Sequence, residues 1–498
     1  MNSSTVTTPV LIVGAGFSGI ALGAMLKRRG IHDFQIIDRE QDFGGTWYSN
    51  TYPGAECDIQ SHLYSFSFRL NPDWTKTYAS QSEIFAYLRK VAEEEGLYPH
   101  ARFGHSVERA EWQQDEGVWR VETGSLTFEA QQVVFATGHL SDPRVPEVPG
   151  LEKFSGKTFH SATWDHDYDL RGKNVAVVGT GASAIQVVPA IADEVGSLKV
   201  FQRTAPYVIP RLDTVYTDEQ KRMFAKVPDS ARDLREFLFW SNEMRFLQRM
   251  LVPSYLQEVE SIAAGHRERQ IDDPQLLQRV TPDYTIGCKR ILLSNTWYPA
   301  LQKENVELVD HAVTAFGEDA VVDAAGGEHE VDCVIFCSGF EAAELPIAAK
   351  VRGTDGTWLS DVWTEGSEAY GGMAVNGFPN MFLMNGPHVG LGAGSVIFMI
   401  ETQAKFIAEA VEHFQREDLR VLEVRAESQQ EFIEHVERRS EGTVWTEGNC
   451  QSWYLDARSN RLTTIWPDQM NRYYAEFASF TPGDFHCVTT RDLQAQPA

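Results

Sequence analysis

Residues 9–19, Pro-Val-Leu-Ile-Val-Gly-Ala-Gly-Phe-Ser-Gly, set an apolar run directly against a turn of the form Gly-x-Gly-x-x-Gly, with Gly14, Gly16 and Gly19 in the glycine places. A short apolar run bounded by glycine reads as a buried strand, and Ile20, Ala21, Ala24, Met25 and Leu26 then recur at helical spacing. A second apolar run, Phe34 to Ile37, ends at Asp38. Strand, glycine turn, helix, strand and acid in that order specify a dinucleotide-binding unit. The glycines allow the tight turn, the close approach of backbone to a pyrophosphate and the packing of helix on strand. The helix N-terminus favours the anion, and Asp38 can accept hydrogen bonds from ribose hydroxyls. A glycine-rich turn alone is common in many folds, so the ordered context carries the reading.

The pattern occurs twice. Asn174 to Val178 is followed by Gly179-Thr180-Gly181-Ala182-Ser183-Ala184, and Leu198 to Phe201 supplies the next strand. Ala184 stands where a third glycine is usual, and its small side chain still permits close helix packing. This strand ends at Gln202-Arg203-Thr204 rather than at an acid. An acid there suits the free ribose hydroxyl of NAD, whereas arginine suits a 2′-phosphate, so NADPH is expected. From Arg211 to about Thr285 the charges are dense, no strand pattern appears, and Phe237, Leu238, Trp240, Met244, Phe246, Leu247 and Leu251 recur at helical spacing. The expected fold is α/β, with two Rossmann-like dinucleotide-binding domains and a helical insertion, about 211–285, in the second. Other expected elements are a helix over Glu83 to Glu95, strands at Val118 to Val121, Thr127 to Phe128, Gln132 to Phe135, Cys333 to Phe336 and Asn380 to Met384, and a helix over Glu401 to Val411.

The 498 residues suffice for two or three domains, and 43% hydrophobic content with 23% charged residues fits a globular chain with a sizeable core. A formal charge of −26 argues against a nucleic-acid footprint and for a soluble, cytoplasmic chain, while leaving room for a local basic pocket that holds a small anion. The first ten residues lack the basic end and long apolar stretch of a secretory signal. Six scattered cysteines form no CxxC pair and no metal-type spacing, so no metal is expected; Cys333 and Cys337 read as packed core. Gly371 to Ile400 contains no charged residue, but its prolines, asparagines and glycines break it repeatedly. It reads as an uncharged wall around a buried cofactor rather than a membrane span.

Two dinucleotide units in one chain most simply mean a bound flavin reduced by a pyridine nucleotide. The fingerprints do not say where the electrons go next, because reductases and oxygenases share them. The loop Gly44-Gly45-Thr46-Trp47 and the segment Tyr52-Pro53-Gly54-Ala55-Glu56-Cys57-Asp58 carry residues that can wall a flat ring, with surface packing as the alternative.

Between the two units lies Phe154 to Asp165, FSGKTFHSATWD. Phe154, Gly156, His160, Trp164 and Asp165 match FxGxxxHxxxW followed by Pro or Asp, and the chain on this basis resembles the Baeyer-Villiger monooxygenases, class B flavoprotein monooxygenases. GGTWY at 44–48, YPGAECD at 52–58, QRT at 202–204 and KR at 289–290 resemble family segments in family order. The resemblance implies FAD in the first unit (1–145 and, as a second part with substrate-pocket loops, 346–498) and NADPH in the second (146–345). It also implies molecular oxygen as co-substrate, a ketone converted to an ester or lactone, and a peroxyflavin as the oxygenating species.

By the same resemblance, Arg290 is the active-site arginine and Asp58 the acid that positions it. A permanently charged guanidinium suits negative charge that develops beside a flavin. Gly14, Gly16, Gly19, Asp38, Gly45, Thr46, Trp47 and Asp58 are assigned to the flavin side. Gly179, Gly181, Ser183, Arg203, Thr204 and Lys289 are assigned to the nicotinamide cofactor, with Thr204 and Lys289 beside Arg203 at the 2′-phosphate. The motif Phe154, Gly156, His160, Trp164 and Asp165 is assigned to conformational coupling rather than acid–base chemistry, with a packed core histidine as the alternative for His160. Heteroatom oxygenation of sulfides or amines, a non-oxygenating reductase and an idle nucleotide-binding module are the competing functions. Cys337-Ser338-Gly339-Phe340 departs from the family's usual ATGF, and the region from Glu447 onward is only loosely similar, which leaves substrate identity open.

Overall fold

The computed structural model describes residues 4–491. Its first part runs β1 (Ser4–Val13), α1 (Phe17–Arg28), β2 (Gln35–Asp38), α2 (Thr46–Ser49), α3 (Gln81–Glu94), β3 (Ala101–Phe103), β4 (Val107–Gln113), β5 (Val118–Thr123) and β6 (Leu126–Phe135). There follow β7 (Lys157–His160), β8 (Asn174–Val178), α4 (Ala184–Ile191), β9 (Ser197–Phe201) and β10 (Val208–Ile209). Four helices come next, α5 (Asp218–Lys226), α6 (Pro228–Met244), α7 (Pro253–Gln270) and α8 (Pro274–Arg279). The chain returns through β11 (Leu292–Leu293), α9 (Trp297–Leu301), β12 (Val306–Val309), β13 (Val313–Phe316), β14 (Ala320–Asp323), β15 (Glu328–Glu330) and β16 (Cys333–Phe336). Later come β17 (Val351–Arg352), α10 (Leu359–Val362), β18 (Met381–Leu383) and α11 (Val396–Arg416).

Two sheets organise these elements. The larger has the order β17-β4-β5-β6-β1-β2-β3, with β18 also paired to β6. Its β1 is parallel to β2 and β6; Val10, Leu11 and Ile12 are fully buried, which is why the second half of the strand is a continuous apolar run, while its first half, from Ser4, is polar and mostly exposed. The smaller sheet, β12-β9-β8-β16-β7, is parallel throughout. In each sheet the glycine turn follows a strand held between two parallel neighbours, so both turns open at the C-terminal edge where doubly wound sheets take ligands.

The insertion is helical, as its spacing predicts, and short β10 and β11 pair in parallel to close it at the root. Helix α3 begins at Gln81 rather than Glu83 because Ser80 and Glu83 form a reciprocal cap with the backbone. The two strands expected at Thr127–Phe128 and Gln132–Phe135 are one strand, β6, whose whole length pairs with β1. Helix α11 extends beyond Glu401–Val411 at both ends; Ser395 caps its start, and Arg29, just past α1, binds its Glu409 and Glu412 at 2.6 and 2.5 Å. The uncharged stretch 371–400 supplies β18 and the entry to α11, with Asn380 in left-handed backbone just before β18 and Asn385 and His388 in left-handed backbone between the two. No helix among the described residues is long and apolar enough to cross a membrane.

Candidate active site

The two glycine cradles are built alike. Gly14 has φ of 119°, and a Cβ there would stand 2.4 Å from the carbonyl oxygen of Ala136, just past β6. Gly179 has φ of 113°, and a Cβ there would stand 2.5 Å from the carbonyl oxygen of Cys337, just past β16. Only glycine meets both demands. At Gly19 an added Cβ would fall 1.9 Å from the Gly14 carbonyl oxygen, so α1 lies directly on the turn. Gly16 faces Gly45, φ 54°, where a Cβ would come within 2.8 Å of the Gly16 Cα; Gly181 has open space. Asp38 accepts from the Ala15 amide at 2.6 Å and the Glu40 amide at 2.8 Å, drawing the end of β2 onto the turn. Burial pushes its carboxyl up, against those hydrogen bonds and Arg39. Each carboxylate oxygen keeps lone-pair capacity for a ribose hydroxyl. Thr46 and Trp47 open α2 beside Gly45, and Trp47 Nε1 donates to Tyr64 Oη at 3.2 Å. These bare backbone surfaces at two strand–helix turns fit a dinucleotide pyrophosphate in each cradle.

At the second cradle Ser183 immediately precedes α4, and the Thr204 carbonyl accepts from Thr180 Oγ1 at 3.1 Å. Arg203 is exposed, while burial and then the Arg203 charge push the Lys289 ammonium below its usual value. Two cations, close in space though 86 positions apart in sequence, suit a 2′-phosphate.

Arg290 follows Lys289 and grips Asp58 with a two-pronged fork, Nε to Oδ2 at 2.7 Å and Nη2 to Oδ1 at 2.8 Å. The side chains remain 34% and 27% exposed, so the pair borders accessible space rather than sealed core. Asp58 raises the Arg290 pKa further, and Arg290 returns the effect: burial alone would push Asp58 up, but the guanidinium holds it below the usual carboxylate range. Both groups therefore stay charged across the working pH range.

The loop carrying Asp58 is docked on the second cradle. Gln186, in α4, accepts from Tyr52 Oη at 2.9 Å and donates to the Glu56 carbonyl at 2.9 Å, and Gly54 packs on the Gln186 backbone. The insertion grips the same loop region: Arg211 reaches Glu56 at 2.7 Å and the Cys57 carbonyl at 3.1 Å, and Arg235 donates to the carbonyls of His62, Leu63 and Ser65. Gln186, Arg211 and Arg235 were not singled out from the sequence, since a lone glutamine or arginine on a helix carries no local signal. A disulfide joins Cys288 to Cys450 and ties the Lys289-Arg290 turn to the C-terminal lobe, a pairing that 162 residues of separation concealed. Cys333 and Cys337 are buried free thiols, in keeping with the core reading.

The central motif is β7 and its exit. Phe154 packs edge-on to Phe316, a Cβ at Gly156 would meet the Phe154 ring at 2.5 Å, and Phe159 meets Trp164 edge-on. Asp165 reaches back to Lys157 at 2.5 Å. His160 is 3% exposed; its Nδ1 accepts from the Ala162 amide at 3.0 Å, and burial lowers its pKa against the opposing effect of the Gly339 backbone, toward which the ring can donate. The motif is thus the edge strand of the smaller sheet, and Thr51 Oγ1 lies 2.7 Å from His166 Nε2 just beyond it.

Two dinucleotide cradles, with one Arg–Asp pair whose acid rides on a loop bound to the second, define a two-cofactor flavoprotein oxidoreductase. Comparison with known proteins agrees. The pyridine nucleotide-disulphide oxidoreductase family model matches residues 11–217. A Baeyer-Villiger monooxygenase of Streptomyces coelicolor is 44% identical over 92% of this chain and 88% of its own length. One from Pseudomonas aeruginosa is 41% identical over 97% and 92%. Among solved structures, the closed form of cyclohexanone monooxygenase superimposes with a TM-score of 0.87 at 27% identity, over 98% of this chain and 100% of that one. The cyclohexanone monooxygenase of Rhodococcus sp. Phi1 bound to NADP+ gives 0.86 at 28% identity, with the same coverage. The chain belongs to the Baeyer-Villiger monooxygenase family.

Proposed function

We propose that this chain binds FAD in the first cradle and NADPH in the second, and uses molecular oxygen to convert a ketone into an ester or lactone. The observation that carries the reading is the Arg290–Asp58 fork: a fixed, permanently charged donor set that is oriented by its acid and reaches accessible space. FAD, when bound, supplies oxygen activation, and NADPH supplies the hydride. Arg203, Thr204 and Lys289 hold the 2′-phosphate, and Asp38 takes ribose hydroxyls. Arg290 holds the negative charge that gathers on the reacting oxygen atoms. Asp58 positions the guanidinium and does not bond to substrate. His160, kept neutral by burial, acts through packing on the edge strand and couples the two units. We assign residues 1–145 and 346–498 to the FAD domain, 146–345 to the NADP domain, and the cytoplasm as the compartment of this acidic chain.

The test is aerobic turnover of a ketone panel, with a sulfide alongside, by wild type and Arg290→Ala. Ester should form from ketones and fall on the order of 100-fold in the variant, the usual loss when a directed charge donor is removed. Equal ester from both proteins would overturn the role of Arg290, and sulfoxide without ester would favour the heteroatom reading.

A further inference from the structure

The insertion buries a guanidinium that has no counter-charge. Arg249 closes the short helical turn Arg245–Arg249 between α6 and α7, and is 6% exposed. Its donors reach only carbonyls, Nη2 to Gly392 at 3.2 Å and Nη1 to Gln248 at 3.5 Å, and among the described residues no carboxylate forms an ion pair with it. Other guanidiniums of the fold are paired, Arg290 with Asp58, Arg211 with Glu56 and Arg235 with Glu401, whereas Arg245, at the start of the same turn, donates only to the Asn242 side-chain carbonyl and offers Arg249 no counter-charge. Isolated buried charge is strongly disfavoured, so a chain that retains it keeps it for a partner.

The position of Arg249 indicates which partner. Its Cδ would stand 3.1 Å from a Cβ on Gly287, three residues before Arg290. Phe246, within the turn, and Leu251, just past it, pack on the cluster that contains Trp445 and Tyr454. Trp445 Nε1 is buried and has no hydrogen-bond partner, while the Tyr454 phenol is buried beside Arg290, whose charge and hydrogen bond work against the rise that burial gives it. Burial, aided by Arg290 and Arg245 and opposed by Tyr454, pulls Arg249 down to about 10, so it stays cationic at neutral pH. This group is separate from the cations of the second cradle, where the charges acting on Lys289 are Arg203 and Asp283. The 2′-phosphate therefore accounts for one cationic group and leaves the other without an anion.

We propose that Arg249 is a specificity-determining residue and that the substrate is a keto acid, its carboxylate held by the Arg249 fork and its ketone carbonyl turned toward Arg290. A planar guanidinium matches a carboxylate in two parallel hydrogen bonds, and Tyr454 and Trp445 add donors beside it. This inference rests on the ketone-oxygenating reading above.

The experiment compares 5-oxohexanoate, 7-oxooctanoate and 9-oxodecanoate with their methyl esters, which carry the same ketone without the charge. In wild-type holoenzyme kcat/KM should favour the acid over its ester for at least one chain length. That ratio should fall at least tenfold in Arg249→Gln, through KM, and recover in part in Arg249→Lys. Because both substrates are measured on one preparation, any loss of folded enzyme cancels from the ratio. An unchanged ratio in Arg249→Gln, or preference for the ester at every length, would overturn the proposal. Equilibrium dialysis of 7-oxooctanoate against holoenzyme separates the two readings. Wild-type binding at least tenfold tighter than that of Arg249→Gln, with no ester from any ketone, would keep the anion site and discard the ketone oxygenation. Equal binding would discard the anion site itself.

Discussion

Asp58 stays charged because Arg290 faces it, and Arg290 stays aimed because Asp58 takes both prongs of its fork. Asp58→Asn should lower kcat about tenfold with little change in KM for the ketone, since it frees the orientation of the guanidinium but leaves its charge. Asp58→Glu should recover part of the loss, which a merely structural acid would not. The same pair sets a pH limit. The folded-state pKa of Asp58 lies below its unfolded value, so its contribution to stability is present above the ordinary carboxylate range and is lost as pH falls through the folded value. Thermal melts of wild type and Asp58→Asn should therefore converge at the acid end and differ near neutrality. At this scale the sequence named both partners only through resemblance to a family, because nothing local in Asp58 or Arg290 marks them as a pair 232 residues apart. Arg249 and Tyr454 were invisible for the same reason: an arginine with no acid in reach is a property of packing.

At the scale of elements, the two glycine turns were legible because their demands are local: positive φ, no Cβ, and a helix that starts immediately. The two sites should be separable by mutation. Gly14→Ala forces left-handed backbone on a residue with a Cβ and drives that carbon into the Ala136 carbonyl, so the purified variant should lose most of its yellow colour. Gly179→Ala meets the Cys337 carbonyl in the same way and should keep its flavin while KM for NADPH rises about tenfold or more. Flavin loss from both variants, or from neither, would show that the cradles do not serve separate nucleotides. The motif at 154–165 has a second role that its sequence does not show. By position it is a link between two units, but its backbone is needed as the edge strand of a sheet, and the direct bonds between loop 52–58 and the second cradle come from Gln186. A strand's partners lie in distant sequence, so a link and an edge strand look alike until β16 is placed beside it.

At the scale of the molecule, the insertion and the C-terminal lobe close over the Arg290 turn from two sides, and the Cys288–Cys450 disulfide fixes one of those contacts. Cys450→Ser should lower the free energy of unfolding by roughly 2–4 kcal/mol, as expected for a bond that closes a long loop. Urea melts should show it, and reductant should bring wild type down to the variant; identical melts with and without reductant would mean the bond contributes nothing in solution. The sequence by itself determined the two dinucleotide units, their order, the helical character of the insertion and the basic end of the second unit. Each is written in contiguous residues whose spacing or backbone geometry has one physical solution. Only the tertiary structure decided the Arg290–Asp58 fork, the docking of loop 52–58 on α4, the disulfide and the unpaired Arg249. These depend on which distant side chains share a buried space, and the worth of a charge there is set by what the fold places beside it.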